Sequence, residues 1–457
     1  MEAQEAASSQ STEPLRQVIT RPLLLLFVVG DVLGAGIYAL IGEIGGRVGG
    51  AIWGAFVAAL VLAVFTAVAY AELVTKYPKA AGAALYANKA FKRPLVTFLV
   101  AFAVMASGIA SAATLSRAFG GDYLSGLVGD VPTVIVALVF LGAVAALNVR
   151  GIDESVKTNV ALTLVELGGL VLVVIVAVAA LADGQGDASR AFQIKEGETV
   201  VTAMIGGAAL AFYALIGFED SVNVAEECKN PRKDYPPALF GGLAIAGIIY
   251  LAVAMLASMV VPTKELAASD GALQLVATTG PLGIPEDVFS VIALFALANG
   301  ALINMIMASR IVYGMSREGI VAPAFGRVSK TRRTPWVAIA FTTVLAMVLA
   351  VTGDLSDLAD TTVLLLLLVF AVVNVAVLVL RRDPVDHDHF HAPSALPVMG
   401  AVACIVLAFD KDGAIWARAG LLLGLGLVLW ALNWLTHGRH QPAGYDTETL
   451  QAVARPS

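Results

Sequence analysis

The sequence predicts an all-α integral membrane protein, and two observations carry that prediction: its apolarity and the recurrence of membrane-length apolar runs. Hydrophobic residues make up 58% of the 457-residue chain and charged residues only 14%, with a mean hydropathy of +0.84. That is more apolar surface than a soluble core of this size can hide, so the chain needs lipid as its solvent. Apolar runs of roughly 20 residues, the length that crosses the hydrocarbon core, recur at 21–48, 50–75, 94–119, 132–149, 157–182, 199–225, 236–261, 286–316, 335–352, 357–380, 395–409 and 414–436. Twelve transmembrane helices are therefore expected.

In chain order, residues 1–20 open with a polar stretch containing Ser8-Ser9-Gln10-Ser11-Thr12 and lack a short apolar core followed by a cleavage site. They read as a disordered cytoplasmic tail rather than a signal peptide. The second and third spans are rich in Ala and Gly, which suits close helix packing. The tenth, with its Leu364 to Leu368 run, reads as apolar on every face and in need of no partner helix. The connecting segments are short, the longest being 262–285 and 317–334, so no separate soluble domain is expected, and 437–457 forms a second cytoplasmic tail.

Charge placement tests the count independently. With a cytoplasmic amino terminus, one face collects Lys76, Lys79, Lys89, Lys92, Arg93, Lys229, Arg232, Lys233, Arg310, Arg317, Arg327, Lys330, Arg332, Arg333, Arg381 and Arg382. The other keeps Arg47, Arg117, Arg190, Lys195, Lys264, Lys411 and Arg418 against acids such as Asp183, Asp187, Glu286, Asp287, Asp354 and Asp357. This is the positive-inside pattern. It places both termini in the cytoplasm and the protein in the cell membrane. The net charge of −6 reports topology rather than partners.

Several function classes are disfavoured. A phosphate-binding Walker A loop needs Gly-Lys, and no lysine follows a glycine. None of the five histidines falls in a span, which argues against a membrane enzyme. The two cysteines, Cys228 and Cys404, suggest neither a disulfide framework nor a zinc site. His387, His389 and His391 alternate with Asp386 and Asp388 on a short loop. Closely spaced histidines can converge on a metal, but a solvated linker is the reading preferred here.

The informative positions are glycines where a spanning helix should be continuous: Gly30, Gly34 and Gly36 in the first span, and Gly217 in the sixth. Backbone groups freed at membrane depth must face protein or a hydrated cavity. The spacing of Gly34 and Gly36 also fits a helix-packing face. Tyr38 to Gly42 repeats Tyr213 to Gly217 as Tyr-Ala-Leu-Ile-Gly, a match that common residues can also produce by chance.

Four blocks in order carry a family resemblance. They are Gly30-Asp31-Val32-Leu33-Gly34-Ala35-Gly36-Ile37-Tyr38; Tyr70-Ala71-Glu72-Leu73 with Pro78, Gly82 and Tyr86; Gly217-Phe218-Glu219 continuing to Ala225-Glu226-Glu227-Cys228-Lys229-Asn230-Pro231-Arg232; and Arg310 to Gly319. The chain resembles permeases of the amino acid-polyamine-organocation (APC) superfamily, most of all their bacterial cationic-amino-acid-transporter-like members. The resemblance implies a LeuT-type fold: two five-helix repeats of inverted topology, 21–182 and 199–380, with discontinuous helices 1 and 6, plus two peripheral helices at 395–436.

It also implies a site. At Gly34, Ala35, Gly36 and Ile37 the start of the outer half-helix offers N–H groups to a substrate carboxylate. At Phe212, Tyr213, Ala214, Leu215 and Gly217 the end of the sixth helix offers carbonyls to an ammonium. One of Phe212 and Tyr213 would lid the substrate while the other packs. Glu166 falls where some proton-coupled members carry a fifth-helix lysine, and Asn299 lies near the sodium-binding hydroxyls of sodium-coupled relatives. Glu166 is then a proton carrier, a neutral staple between helices, or a sodium ligand. Asp31 either pairs with a cation or takes part in coupling, or contacts a small hydroxyl on a neighbouring helix. Glu43, at the outer interface beside Arg47, reads as an ordinary exposed or ion-paired residue, Glu219 and Asp220 as caps of the inner half-helix, and Glu72, Glu226, Glu227 and Glu318 as inner-gate partners of the cations at 229–233 and 310–333.

The expected function is secondary amino acid transport by alternating access, with a proton as coupling ion, sodium disfavoured, and no other cofactor. An exchanger of amino acids or polyamines and a transporter-like nutrient sensor are the alternatives. The expected partners are the small-molecule substrate and membrane lipid, with no nucleic acid and no obligate protein.

Overall fold

In the computed structural model the described residues are 17–79, 82–151, 156–329, 331–332 and 334–437, with side chains undescribed at 156–162 and 437. Residues 1–16 and 438–457 of the two expected tails, together with Lys330 and Arg333, lie outside them. Among the described residues seventeen α-helices follow one another: α1 (Arg21–Val32), α2 (Gly36–Val48), α3 (Ile52–Lys76), α4 (Gly82–Phe91), α5 (Pro94–Phe119), α6 (Asp122–Val128), α7 (Thr133–Arg150), α8 (Val156–Ala182), α9 (Val200–Leu215), α10 (Pro231–Val260), α11 (Thr263–Ala267), α12 (Ala272–Ala277), α13 (Glu286–Arg317), α14 (Trp336–Thr352), α15 (Leu355–Leu380), α16 (Ala395–Phe409) and α17 (Gly413–His437). Short 3-10 helices occupy Ala188–Phe192, Asp220–Glu227 and Pro323–Gly326.

Nine stretches among the described residues are long and apolar enough to cross a membrane, and α1 with α2, bent by 45°, makes a tenth. Two further apolar helices, α14 and α16, have 17 and 15 residues. Local signals explain many boundaries. Proline stands in the first turn of α1, α5 and α10, where its missing N–H costs nothing. Gly129 and Gly151, at φ 83° and 76°, end α6 and α7 in a backbone region that residues with a Cβ avoid.

The first and sixth spans form one unit. At one end Ile19 bridges the sixth, its N–H donating to the Glu227 carbonyl at 2.9 Å and its carbonyl accepting from Lys229 N–H at 3.0 Å. At the other end Lys195 N–H donates to Val48 O at 3.0 Å and Ala51 N–H to Gln193 O at 3.1 Å. The two Tyr-Ala-Leu-Ile-Gly pentapeptides sit on opposite sides of their breaks, one inside α2 and the other ending α9, so they do not occupy matching positions.

The expectation for the tenth span is corrected. Far from facing lipid on every side, α15 is among the most enclosed helices, with Asp360, Thr361, Thr362 and Asn374 all buried. Its leucine run masked that polarity in the sequence. Both ends are tied by charge. Arg381 makes a two-pronged pair with Glu72 of α3, its Nε donating to Oε1 and its Nη2 to Oε2, each at 2.7 Å. Lys76 Nζ donates to the Leu380 carbonyl at 2.6 Å. At the opposite end Asp360 accepts from Arg47 and Lys411.

Glu72 is thus partnered by Arg381 rather than by the cations at 229–233 or 310–333. Among the described residues no ion pair joins Glu226 or Glu227 to them. Arg47 likewise turns to Asp360 and not to Glu43.

Because Glu72 is 1% exposed, removing its partner strands a buried carboxylate, which costs about 3–5 kcal/mol. Arg381→Met is expected to lower the thermal unfolding midpoint of the detergent-solubilised protein markedly. Arg382→Met, a change at an exposed neighbour, is expected to leave it unmoved.

Candidate functional site

The site begins where α1 stops. Leu33 leaves helical geometry after donating its N–H to Val29 O at 2.8 Å, and Ala35 starts the new helix, so Gly34 lies between two helix ends. The freed Val32 carbonyl accepts from the Tyr250 hydroxyl of α10 at 2.6 Å. In the sixth span α9 ends at Leu215 and Gly217 turns the chain at φ 125°. There the N–H of Gly217 donates to the Glu219 carboxylate at 2.9 Å. Glu219 therefore caps backward, onto the break itself, rather than forward onto the Asp220–Glu227 helix.

The two breaks cross in direct contact. A Cβ on Gly36 would lie 2.7 Å from the Cα of Ala214, and one on Gly217 would collide with the Asp31 carbonyl. The packing and ligand readings of these glycines are therefore compatible: Gly36 is a close-approach residue and also lines the space beside the crossing. Gly30 and Gly300 have the same tightness, against Thr163 and against Leu115 and Ala35 respectively.

A cavity of about 110 Å³ opens at the crossing. One water needs on the order of 10–15 Å³ by the same measure, so it has room for several waters or a small solute. Of the residues singled out in the sequence, Gly34, Ala35, Gly36, Tyr213, Ala214, Gly217, Asp31, Glu166 and Asn299 line it. Ile37, Phe212 and Leu215 do not. They are 0%, 0% and 1% exposed and face the core, Phe212 packing edge-on against Phe370 at 5.9 Å. On α9, helical periodicity turns Phe212 and Leu215 to a different face from Tyr213 and Ala214 between them.

Glu166 of α8 is buried, and its Oε1 accepts from Asn299 Nδ2 of α13 at 3.0 Å. Its carbonyl accepts from the Tyr38 hydroxyl at 2.7 Å, which ties α8 to the helix beyond the first break. Four carboxyl groups line the cavity, Asp31, Glu166, Glu219 and Asp220, and no Lys, Arg or His is among the lining residues.

Sequence reasoning missed one wall. Ser111 of α5 lies 2.9 Å from the Tyr213 hydroxyl and accepts from Asn304 Nδ2 at 3.2 Å, while Asn304 also donates to the Gly300 carbonyl at 2.9 Å. Ser107, four residues before Ser111, and Thr362 of α15 also line the space. The available signal was the i, i+4 pairing of Ser107 with Ser111 and of Gly300 with Asn304. Intramembrane polarity thus extends to the third and tenth spans.

The histidine loop lies away from this cavity. Neighbouring rings of His387, His389 and His391 have centroids 6.3 and 6.2 Å apart, and no group of three His, Cys, Asp or Glu is placed to hold a metal among the described residues. Burial holds His389 below the ordinary imidazole range. The loop is strapped to α3, with Phe390 N–H donating to Thr75 at 3.0 Å and Ala392 N–H to Glu72 at 3.0 Å.

A many-span helical protein with a polar cavity at the crossing of two interrupted helices belongs, by class, with solute permeases. More specifically, the chain is a member of the amino acid permease family, whose model matches residues 22–414, within the APC superfamily. It is 25% identical over 455 residues to a branched-chain amino acid permease of Bacillus subtilis (strain 168), covering 95% of this chain and 96% of that protein. To a methylthioribose transporter of the same organism it is 24% identical over 453 residues, covering 94% and 96%. To the chloroplastic cationic amino acid transporter 9 of Arabidopsis thaliana it is 26% identical over 354 residues, covering 72% and 60%.

Crowding at the crossing gives a direct prediction. Overpacking typically costs about 1–3 kcal/mol, so Gly36→Val is expected to weaken cargo binding roughly 5- to 150-fold, measured by radioligand binding to purified protein. Gly206→Val, a change on α9 where a Cβ meets nothing within 4 Å, is expected to bind normally.

Proposed function

We propose that the protein is a secondary active transporter that moves amino acids across the cytoplasmic membrane by alternating access, coupled to protons. In this reading the chain has twelve spans, with two inverted five-helix repeats at 21–182 and 199–380 and a peripheral pair at 395–436. Both termini are cytoplasmic, so the Glu72 and Arg381 end faces inward and the Arg47 and Asp360 end outward. Family membership supports the cargo class, and the positive-inside charge pattern supports the orientation.

The observation that carries the mechanism is a buried carboxyl on the cavity wall, Glu166, held by one neutral donor, Asn299. An ionised carboxylate in such a place is costly unless paired, and a proton is the smallest ion that can neutralise it. The first turn of α2 would meet the cargo carboxylate, and the carboxyl-rich lining with the Ala214 to Gly217 carbonyls would meet its ammonium. Sodium is the less favoured coupling ion. The absence of a basic side chain among the lining residues favours a second reading as well, exchange of cationic amino acids or polyamines.

Uptake of radiolabelled amino acids into proteoliposomes, under a pH gradient, a sodium gradient or internal counter-substrate, separates these. Stimulation by a pH gradient supports symport, and dependence on internal substrate alone supports exchange. No uptake under any condition removes the transporter reading and favours a sensor. Glu166→Gln is expected to abolish stimulation by the pH gradient while leaving exchange measurable, and stimulation that persists in this variant would exclude Glu166 as the proton carrier.

A further inference from the structure

Asp360 has two cations, and they differ in how they are held. Its Oδ2 accepts from Arg47 at 2.7 Å and its Oδ1 from Lys411 at 2.5 Å. Arg47 sits in the last turn of α2, the segment set at 45° to α1 across the first break, and its side chain is 33% exposed. Lys411 sits in the link between α16 and α17, and its side chain is 2% exposed. That link is closed on itself: Lys411 N–H donates to the Ala408 carbonyl at 3.2 Å, and Trp416 Nε1 to the same carbonyl at 3.0 Å. Arg418 of α17 pairs with Asp357 at 3.0 Å, fixing the peripheral pair to the same end of α15. Neither α16 nor α17 contributes a residue to the cavity.

We propose that Lys411 is the permanent counter-ion of Asp360 and Arg47 the releasable one, so that the peripheral helices set the cost of opening the outer side. This rests on the alternating-access reading above. When α2 swings on its break, Arg47 must leave α15. It then has water and Glu43, four residues earlier on the same helix face, to receive it. Asp360, 5% exposed at its side chain, has no such recourse, and a buried carboxylate stripped of its only cation strongly resists forming. Lys411 keeps that carboxylate neutralised in both states, so the gap between them stays small enough to cross. Of the other charges at this end, Asp354, Asp357, Asp410 and Arg418 belong to α15 or to the peripheral pair and its link, and Asp270, which also acts on Glu43, lies between α11 and α12. Lys411 is a positioning residue, since it touches no cargo.

The test uses full-length protein in proteoliposomes carrying Leu115→Cys, a cavity-lining position, labelled from the outer side with a membrane-impermeant maleimide. The native Cys228 and Cys404 are buried. Lys411→Met is expected to slow labelling by at least about tenfold, since Arg47 becomes the sole partner of Asp360. Arg47→Gln should label at least as fast as the parent, Lys411→Arg should label like it, and the double variant Asp360→Asn/Lys411→Met should recover.

A Lys411→Met protein that labels at the parent rate, or a double variant no faster than Lys411→Met, would overturn the proposal. Thermal unfolding provides a second reading that survives poor folding of one variant. Lys411→Met should lose more stability than Arg47→Gln, and an equal or reversed order is equally fatal. A parent never labelled from the outer side removes alternating access and this proposal together, whereas a labelled parent indifferent to Lys411→Met removes the proposal alone.

Discussion

The contact on which the rest of the structure depends is the backbone-to-backbone crossing of the first and sixth spans. Gly36 lies against Ala214 and Gly217 against the Asp31 carbonyl, both too close for a Cβ. Interrupted helices are tolerable at membrane depth only where freed backbone groups find partners. Here Tyr250 takes the Val32 carbonyl and Glu219 takes the Gly217 N–H. The backbone bridges at Ile19 and at Val48 to Ala51 then tie the two spans together beyond the crossing on either side. A local concession to flexibility is held in place by close packing and by hydrogen bonds from elements remote in sequence.

The cavity is a consequence of that crossing. Two segments that leave regular helical geometry at the same level cannot fill the space beside them with regular side-chain packing. Polar side chains reach the space from four further helices, Ser111 and Ser107 from α5, Glu166 from α8, Asn299 and Asn304 from α13 and Thr362 from α15, with Asp220 after the sixth-span break, beside apolar ones such as Val104, Ile303 and Leu366. The polar side chains also bond to one another, as in the row Tyr213, Ser111, Asn304 and in the pair Glu166 and Asn299. Such bonds keep polar groups tolerable in an apolar surround and leave their positions well defined.

The buried charges follow the same logic at larger scale. α15 carries an ion cluster at each end, Glu72 with Arg381 at one and Asp360 with Arg47 and Lys411 at the other. Buried pairs contribute less to net stability than to specifying one arrangement, because desolvation offsets most of their attraction. Each cluster links helices far apart in the chain, Glu72 and Arg381 by 309 positions and Arg47 and Asp360 by 313. They register α15 against α3 and α2 in a way that apolar contacts, which lack direction, do not.

Composition and periodicity by themselves determined that the chain is a multi-span helical membrane protein, and the glycines at 34, 36 and 217 marked where helices would be interrupted, whereas Gly30 stays inside α1. These are properties of local sequence: the transfer of apolar side chains to lipid and the backbone freedom of glycine act residue by residue. Motif order pointed to the permease family for the same reason. Only the tertiary structure decided which face of each interrupted helix meets the cavity, turning Tyr213 toward it and Phe212 toward Phe370. It alone brought Ser111, Asn304 and Thr362 to the wall, and it gave Asp360, which stands just before the leucine run, its two partners. These outcomes depend on long-range contacts, and a single polar residue in an apolar helix carries no mark of which distant partner will make it tolerable.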